Sequence, residues 1–335
     1  MRIVALEEHF TLAEMVGRIP RDRIRSWGWP DEIPPHMRHD DQLADLNEGR
    51  LAAMDQAGIS VQILSAAGPG ADLLEGIESI RYAQDYNDRL AESVRRHPAR
   101  LGGFAHLPMG IPAAAADELE RSIRDLGFRG GLINGMTNGR FLDHADFEPL
   151  LARAEALDVP IYLHPGLPPA AVKDTYFTGL PGDTGFLLSI AGWGWHAETA
   201  LHVLRLVLAG SFARHPKLRM IVGHMGEGLP AMLARCDKVF SPATNAYLDR
   251  SVSETLLNQL WITTSGFFDM PSFMAAFLSF GADRILFSVD YPYAPNTAGR
   301  RFLDTLPVSS ADLAKIAHGN ADGLLKLSDI DSVQG

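Results

Sequence analysis

A single cysteine, Cys236, occurs among the 335 residues, so no internal disulfide can staple the chain, and a reducing compartment suits it. No apolar run approaches the ~20 residues of a membrane span. The opening IVAL (3–6) is too short for the apolar core of an export signal and passes at once into acids. A cytoplasmic protein is therefore expected. Basic clusters are missing as well. Lys and Arg number 30 against 41 Asp and Glu, a formal charge of −11, which argues against nucleic acid and membrane surfaces as partners. The first apolar run also lacks the GxGxxG turn of a dinucleotide-binding sheet; it ends in EEHF. No internal repeat or low-complexity tract is visible.

What is present is 46% hydrophobic residues, enough for a large core, arranged in eight short Val/Ile/Leu-rich runs. They are IVALEEH (3–9), VQILSAA (61–67), LGGFAHLP (101–108), GGLING (130–135), PIYLHPG (160–166), LRMIVGHMG (218–226), LWITTSG (260–266) and RILFSVDYP (284–292). Amphipathic stretches lie between them, among others 42–58, 113–127, 147–158 and 198–212, with apolar residues at three- and four-residue spacing. The alternation predicts a (β/α)8 barrel over 1–335 as one domain. Residues 10–41, with Trp27 and Trp29, and 165–195, rich in Gly, Pro and aromatics, are predicted as irregular excursions over the mouth, where barrel enzymes build their sites.

Polar residues interrupt the apolar runs near their carboxyl ends: Glu7 and His9 in the first, His164 in the fifth, His224 in the sixth and Asp290 in the eighth. Strand alternation sends Glu7 and His9 to one side and Glu8 to the other. A barrel would bring the five together. Their imidazoles and carboxylates are a donor set for Zn²⁺ or another divalent first-row metal with an open position. Glu227, three residues after His224 in GHMGEGLP (223–230), can orient that imidazole and form a proton-transfer pair with it. His106 and His196 have no assigned part.

ALEEHF, YLHPG, WGWHAETALHVLRL, GHMGEGLP and FSVDYPY, in this order and spacing over nearly the whole chain, resemble the metal-dependent decarboxylases of the amidohydrolase superfamily. The likeness is to the γ-resorcylate, 2,3-dihydroxybenzoate and 5-carboxyvanillate enzymes, and more distantly to aminocarboxymuconate-semialdehyde decarboxylase. That resemblance implies Glu7, His9, His164 and Asp290 as ligands of one Zn²⁺ or Mn²⁺ ion, with His224 and Glu227 handling protons. It also implies Arg235 and Tyr293 beside a small carboxylic acid substrate, and a homodimer or homotetramer. Where those enzymes commonly carry a glutamate after the aromatic residue, this chain has Ala294. The implied reaction is non-oxidative decarboxylation of a hydroxyaryl or unsaturated acid, with Asp290 delivering a proton to carbon. A lactone or amide hydrolase, a hydratase, and a non-catalytic metal-binding barrel are the alternatives on the same residues.

Overall fold

The computed structural model describes residues 1–30 and 33–327. Positions 31–32 of the first excursion, and the predicted extent of the domain from 328 to 335, lie outside the described residues. Nine strand segments occur among them: β1 (Val4–Phe10), β2 (Val61–Ala66), β3 (Leu101–Gly103), β4 (Ala105–His106), β5 (Gly131–Asn134), β6 (Ile161–His164), β7 (Met220–Val222), β8 (Leu260–Thr263) and β9 (Ile285–Leu286). All neighbours pair in parallel, in the orders β1-β2-β3 and β4 through β9.

The predicted third strand is thus two segments, because the chain changes partner at Phe104. Its N–H donates to Leu64 O (2.9 Å), while Arg129 N donates back to Gly103 O (2.9 Å). On the other side, β1 meets the end of the eighth run through a parallel Glu8–Tyr291 bridge and a 2.7 Å bond from His9 N to Tyr291 O. The architecture is the expected (β/α)8 barrel.

The eighth run keeps ladder geometry only over Ile285–Leu286, because hydroxyls take over beyond it. Thr264 Oγ1 accepts from Ser288 N (3.0 Å) and donates to Ser288 O (2.8 Å). Asp290 therefore sits four residues past β9, on a loop. His224 likewise lies just past β7.

Strands covered on both faces are apolar throughout. One set of side chains, including Val4, Leu6, Val61, Ile63, Phe104, Leu132, Tyr162 and Ile221, fills the barrel together with Ala321, Leu324, Leu325 and Leu327. Bonds from Arg2 to Asp322 (3.1 Å) and from Arg129 to Lys326 O (3.0 Å) hold this last segment at the amino ends of the strands, opposite the polar residues. A second set, including Ile3, Ala5, Leu64, Ile133, Leu163 and Val222, packs against the helices.

The helical expectations need several corrections. The stretch 42–58 is two helices, Asp40–Ala44 and Glu48–Ala57, broken where Asp45 Oδ1 accepts from Asn47 N (2.7 Å). The stretch 198–212 starts earlier, as Gly194–Leu208, and stops before Gly210, whose φ of +75° a right-handed helix does not allow. Both excursions carry helix: Ala13–Val16 and Arg21–Trp27 in the first, Ala170–Tyr176 and Thr184–Ser189 in the second. No helix among the described residues is long and apolar enough to cross a membrane.

Candidate metal centre and active site

The period-2 pattern of β1 is interrupted before the site begins. Val4 pairs with Val61 and Ala5 with Gln62, but Glu8 rather than Glu7 pairs with Leu64, so β1 holds one extra residue. This β-bulge puts Leu6 inside the barrel and then Glu7 and His9 there as well. Both bulged amides, Leu6 N–H (3.2 Å) and Glu7 N–H (2.6 Å), donate to Ser288 Oγ, and that hydroxyl donates to Glu8 Oε1 (3.1 Å).

Glu7 is fully buried. Its Oε2 accepts hydrogen bonds from Tyr162 Oη, Ser265 Oγ and, at 3.3 Å, Thr263 Oγ1, while Oε1 has no partner. The carboxylate needs the glycine at 223, since a Cβ there would lie 2.7 Å from Glu7 Oε2. His9 Nδ1 is 3.2 Å from Ser65 Oγ, which leaves Nε2 facing the mouth, 3.2 Å from Asp290 Oδ1 but unpartnered as a hydrogen bond. His164 Nδ1 donates to Pro165 O (2.9 Å), so its Nε2 carries a lone pair aimed at Glu7 Oε1, 3.4 Å away. His224 Nε2 lies 3.7 Å from Glu7 Oε1 and 3.8 Å from Asp290 Oδ2. The five residues come together at one mouth, as the strand pattern predicts.

Glu7, His9 and His164 offer ligand atoms within 4.8 Å of one another, and so do Glu7, His224 and Asp290. The chemistry of the set fits a divalent cation. Burial pushes the His164 imidazole down to about 3, so the ring is neutral and sets a lone pair against a carboxylate oxygen. Such a contact is repulsive unless a cation lies between, and two orphaned buried donors face the same space. Burial likewise pushes Glu7 up in the absence of that charge.

Glu8 points the other way, into the helical layer, where it accepts from Val289 N (2.9 Å), Tyr291 N (3.2 Å), Ser288 Oγ and Gln62 Nε2 (3.3 Å). In a Glu8→Gln variant one of those backbone N–H groups would face an amide NH₂. It is expected to lose about 1–3 kcal/mol of stability with metal stoichiometry unchanged. Chemical denaturation and elemental analysis check both halves, and loss of metal at intact stability would contradict the placement.

His224 Nδ1 lies 2.7 Å from Glu227 Oε1. Burial opposes charge on this imidazole, but the Glu227 and Glu7 carboxylates overcome it and hold its pKa well above the ordinary value. Burial also opposes charge on Glu227, yet His224 and His196 draw it down to about 2. Glu227 thus touches His224 and not the start of the following helix, Leu233–Thr244. The turn that carries the pair is left-handed: His224, Met225 and Glu227 have φ of +50°, +54° and +57°, and Gly226 and Gly228 complete it. Asp290, at φ +73°, is also left-handed. His9 and His224 outweigh its burial and hold its carboxyl below the usual range.

Tyr293 is 46% exposed, with its ring 5.6 Å from that of His9, at the rim of the cluster. Arg235 is exposed on Leu233–Thr244, and among the described residues no hydrogen bond or ion pair ties it to the cluster. His106 is buried beside Tyr82 and Tyr86, accepting from Ala71 N (2.9 Å). Of the two histidines that the sequence left unassigned, His196 joins the site, with its Nδ1 2.5 Å from Glu227 Oε2. Its only signal was a polar residue within the aromatic WGWH.

The amidohydrolase family pattern matches residues 20–327. The chain is 38% identical over 334 residues to the decarboxylase orsB of Emericella nidulans, covering 97% of each. Among solved structures it is similar to a dihydroxybenzoic acid decarboxylase from a Polaromonas species with bound manganese and the inhibitor 2-nitroresorcinol. That match has a TM-score of 0.84, 36% identity and 97% coverage of each chain. It is also similar to the 5-carboxyvanillate decarboxylase of Sphingomonas paucimobilis, with a TM-score of 0.88, 29% identity, and coverage of 97% of this chain and 99% of that one.

Proposed function

Because the chain belongs to the amidohydrolase family, we propose that it is a metal-dependent carboxy-lyase acting on a hydroxylated aryl carboxylic acid, with Glu7, His9, His164 and Asp290 as the metal ligands. The observation that carries this reading is the pair of orphaned buried donors, Glu7 Oε1 and His9 Nε2, beside the hydrogen-bonded His224–Glu227 pair. The similar proteins named decarboxylases add the substrate class.

A divalent ion held by Glu7, His9, His164 and Asp290 would supply Lewis acidity that favours ionisation of a substrate hydroxyl. The protein supplies the proton transfers. Asp290, ionised and at the mouth, accepts the proton that the hydroxyl gives up and passes it to the ring carbon bearing the carboxylate. The bond to the carboxylate then breaks, its electron pair returns to the ring, and CO₂ leaves. The hydroxyl recovers a proton from water as product departs. His224, kept charged by Glu227, directs Nε2 to the mouth and donates to an anionic oxygen of the substrate. Tyr293 provides a wall for the ring.

The test is a set of carboxyl-labelled ortho-hydroxybenzoic acids, 2,6-dihydroxybenzoate included, incubated with manganese-loaded protein in deuterated water enriched in oxygen-18. Labelled CO₂ and one deuterium at the vacated ring position are expected. Solvent oxygen incorporated into product without CO₂ release would make the chain a hydrolase or hydratase instead. Within this reading, Glu227→Gln and His224→Ala are each expected to lower turnover by roughly 10²-fold or more while retaining one metal per chain. Metal loss in both folded variants would move the pair into the ligand set.

A further inference from the structure

His196 occupies the first turn of Gly194–Leu208, directly after the second excursion, and both of its ring nitrogens face acceptors. Nε2 lies 2.9 Å from Ala191 O, and Nδ1 lies 2.5 Å from Glu227 Oε2. A carbonyl oxygen only accepts, so the bond to Ala191 requires a proton on Nε2. A contact as short as the one to Glu227 requires a proton between nitrogen and oxygen. The ring is packed against Phe267 (centroids 5.2 Å) and edge-on to His224 (4.9 Å), so it has no free rotation to choose one partner over the other. The charged or titratable groups facing it are Glu227 and His224 from the turn after β7; Phe267, from the segment after β8, is neutral.

We propose that His196, held between Ala191 O and Glu227, is a positioning residue that clamps the Glu227 carboxylate so that its other oxygen meets His224 Nδ1. Glu227 is in the left-handed region, and one bond to His224 would leave its carboxylate free to swing about its side-chain torsions. Two imidazoles, one on each oxygen, fix both the plane and the reach. His224 Nδ1 is then always the bonded nitrogen and Nε2 always the one turned to the mouth. The clamp also ties the excursion to the proton-handling pair through Ala191, so the loop and His224 are placed together.

The importance for turnover rests on the carboxy-lyase reading; the placement of Glu227 and His224 does not. Nitrogen-15 NMR of histidine-labelled, zinc-loaded protein is expected to show one sharp set of His224 ring signals, and doubled or exchange-broadened ones in His196→Phe. A single sharp set of His224 signals retained in folded His196→Phe would overturn the proposal, whatever the activity. In kinetics with the best-turned-over acid of the hydroxybenzoate set, His196→Phe is expected to lower kcat by roughly 10–100-fold, the range typical of partners that orient a functional imidazole. KM should change by less than about threefold, because a transition-state group and not binding is disturbed. His196→Gln, which keeps a donor for Glu227, should recover roughly tenfold of that loss, with one metal per chain in both variants. An unchanged kcat in His196→Phe, or a fall that tracks metal loss, would overturn it. If no acid releases CO₂ while the NMR signature is present, the carboxy-lyase reading fails and the clamp stands.

Discussion

Stripping the divalent metal with a chelator is expected to lower turnover by roughly 10³-fold, the several kcal/mol that a Lewis acid contributes to stabilising developing charge. Manganese is expected to restore it at one equivalent per chain. Glu7 is wholly buried with one oxygen orphaned, and neutral His164 aims a lone pair at that oxygen from 3.4 Å. Without the ion, burial pushes the Glu7 carboxyl up and leaves Oε1 without a partner, so the metal-free protein should also melt at a lower temperature. His164→Ala removes one of the two imidazole nitrogens proposed as metal ligands and should weaken metal binding by 10-fold or more, by comparison with the smaller losses seen for partners of ligands. Metal titration by calorimetry, with melting curves of the empty and loaded protein, measures both effects. Full turnover in rigorously metal-free protein, or two tightly bound ions per chain, would end this account.

Asp290→Asn is expected to reduce kcat by roughly 10²–10⁴-fold even at saturating metal, the usual range for a lost proton-transfer group. Asparagine keeps the shape and one oxygen, so the ring of a substrate analogue should still bind. An amide cannot accept the hydroxyl proton and return it to carbon. His9 Nε2, 3.2 Å from Asp290 Oδ1, would face either the remaining oxygen or an NH₂ group. The comparison that matters is between inhibitor affinity and kcat in metal-saturated samples. Equal losses in both would mean that Asp290 only holds the metal, and another group would have to move the proton.

The cluster was legible because its signal is local: a carboxylate or imidazole at the end of a four-residue apolar run stands out without knowledge of the fold. His164, His224 and Asp290 are of that kind. The positions of Glu7 and Glu8 followed from alternation counted from the site itself. Counted from Val4 and Leu6 the same rule puts Glu8 in the mouth, because the bulge that resets it depends on Ser288, far away in sequence. His196 was illegible for the same reason, since its partner Glu227 is 31 positions away and only the barrel brings them together. The break at Asp45 and the helices within the excursions were missed because a side-chain bond to Asn47, and packing on the barrel, overrode periodicity. Arg235 shows the converse, a residue singled out by likeness that the isolated chain leaves in solvent.

The left-handed turn at 224–228 has a consequence for anyone trying to make this protein more heat-resistant. Each of His224, Met225 and Glu227 gives up about 1–2 kcal/mol by adopting that conformation, and nothing in the local sequence relieves it except the neighbouring glycines. Redesign for melting temperature would select relaxed backbones here first. Every such gain would turn the His224 and Glu227 side chains away from each other. The segment is where stability and turnover trade directly against one another, and stabilising substitutions are better sought in the outer helical layer, where exposed Leu278 and Val239 can be exchanged without moving a functional atom.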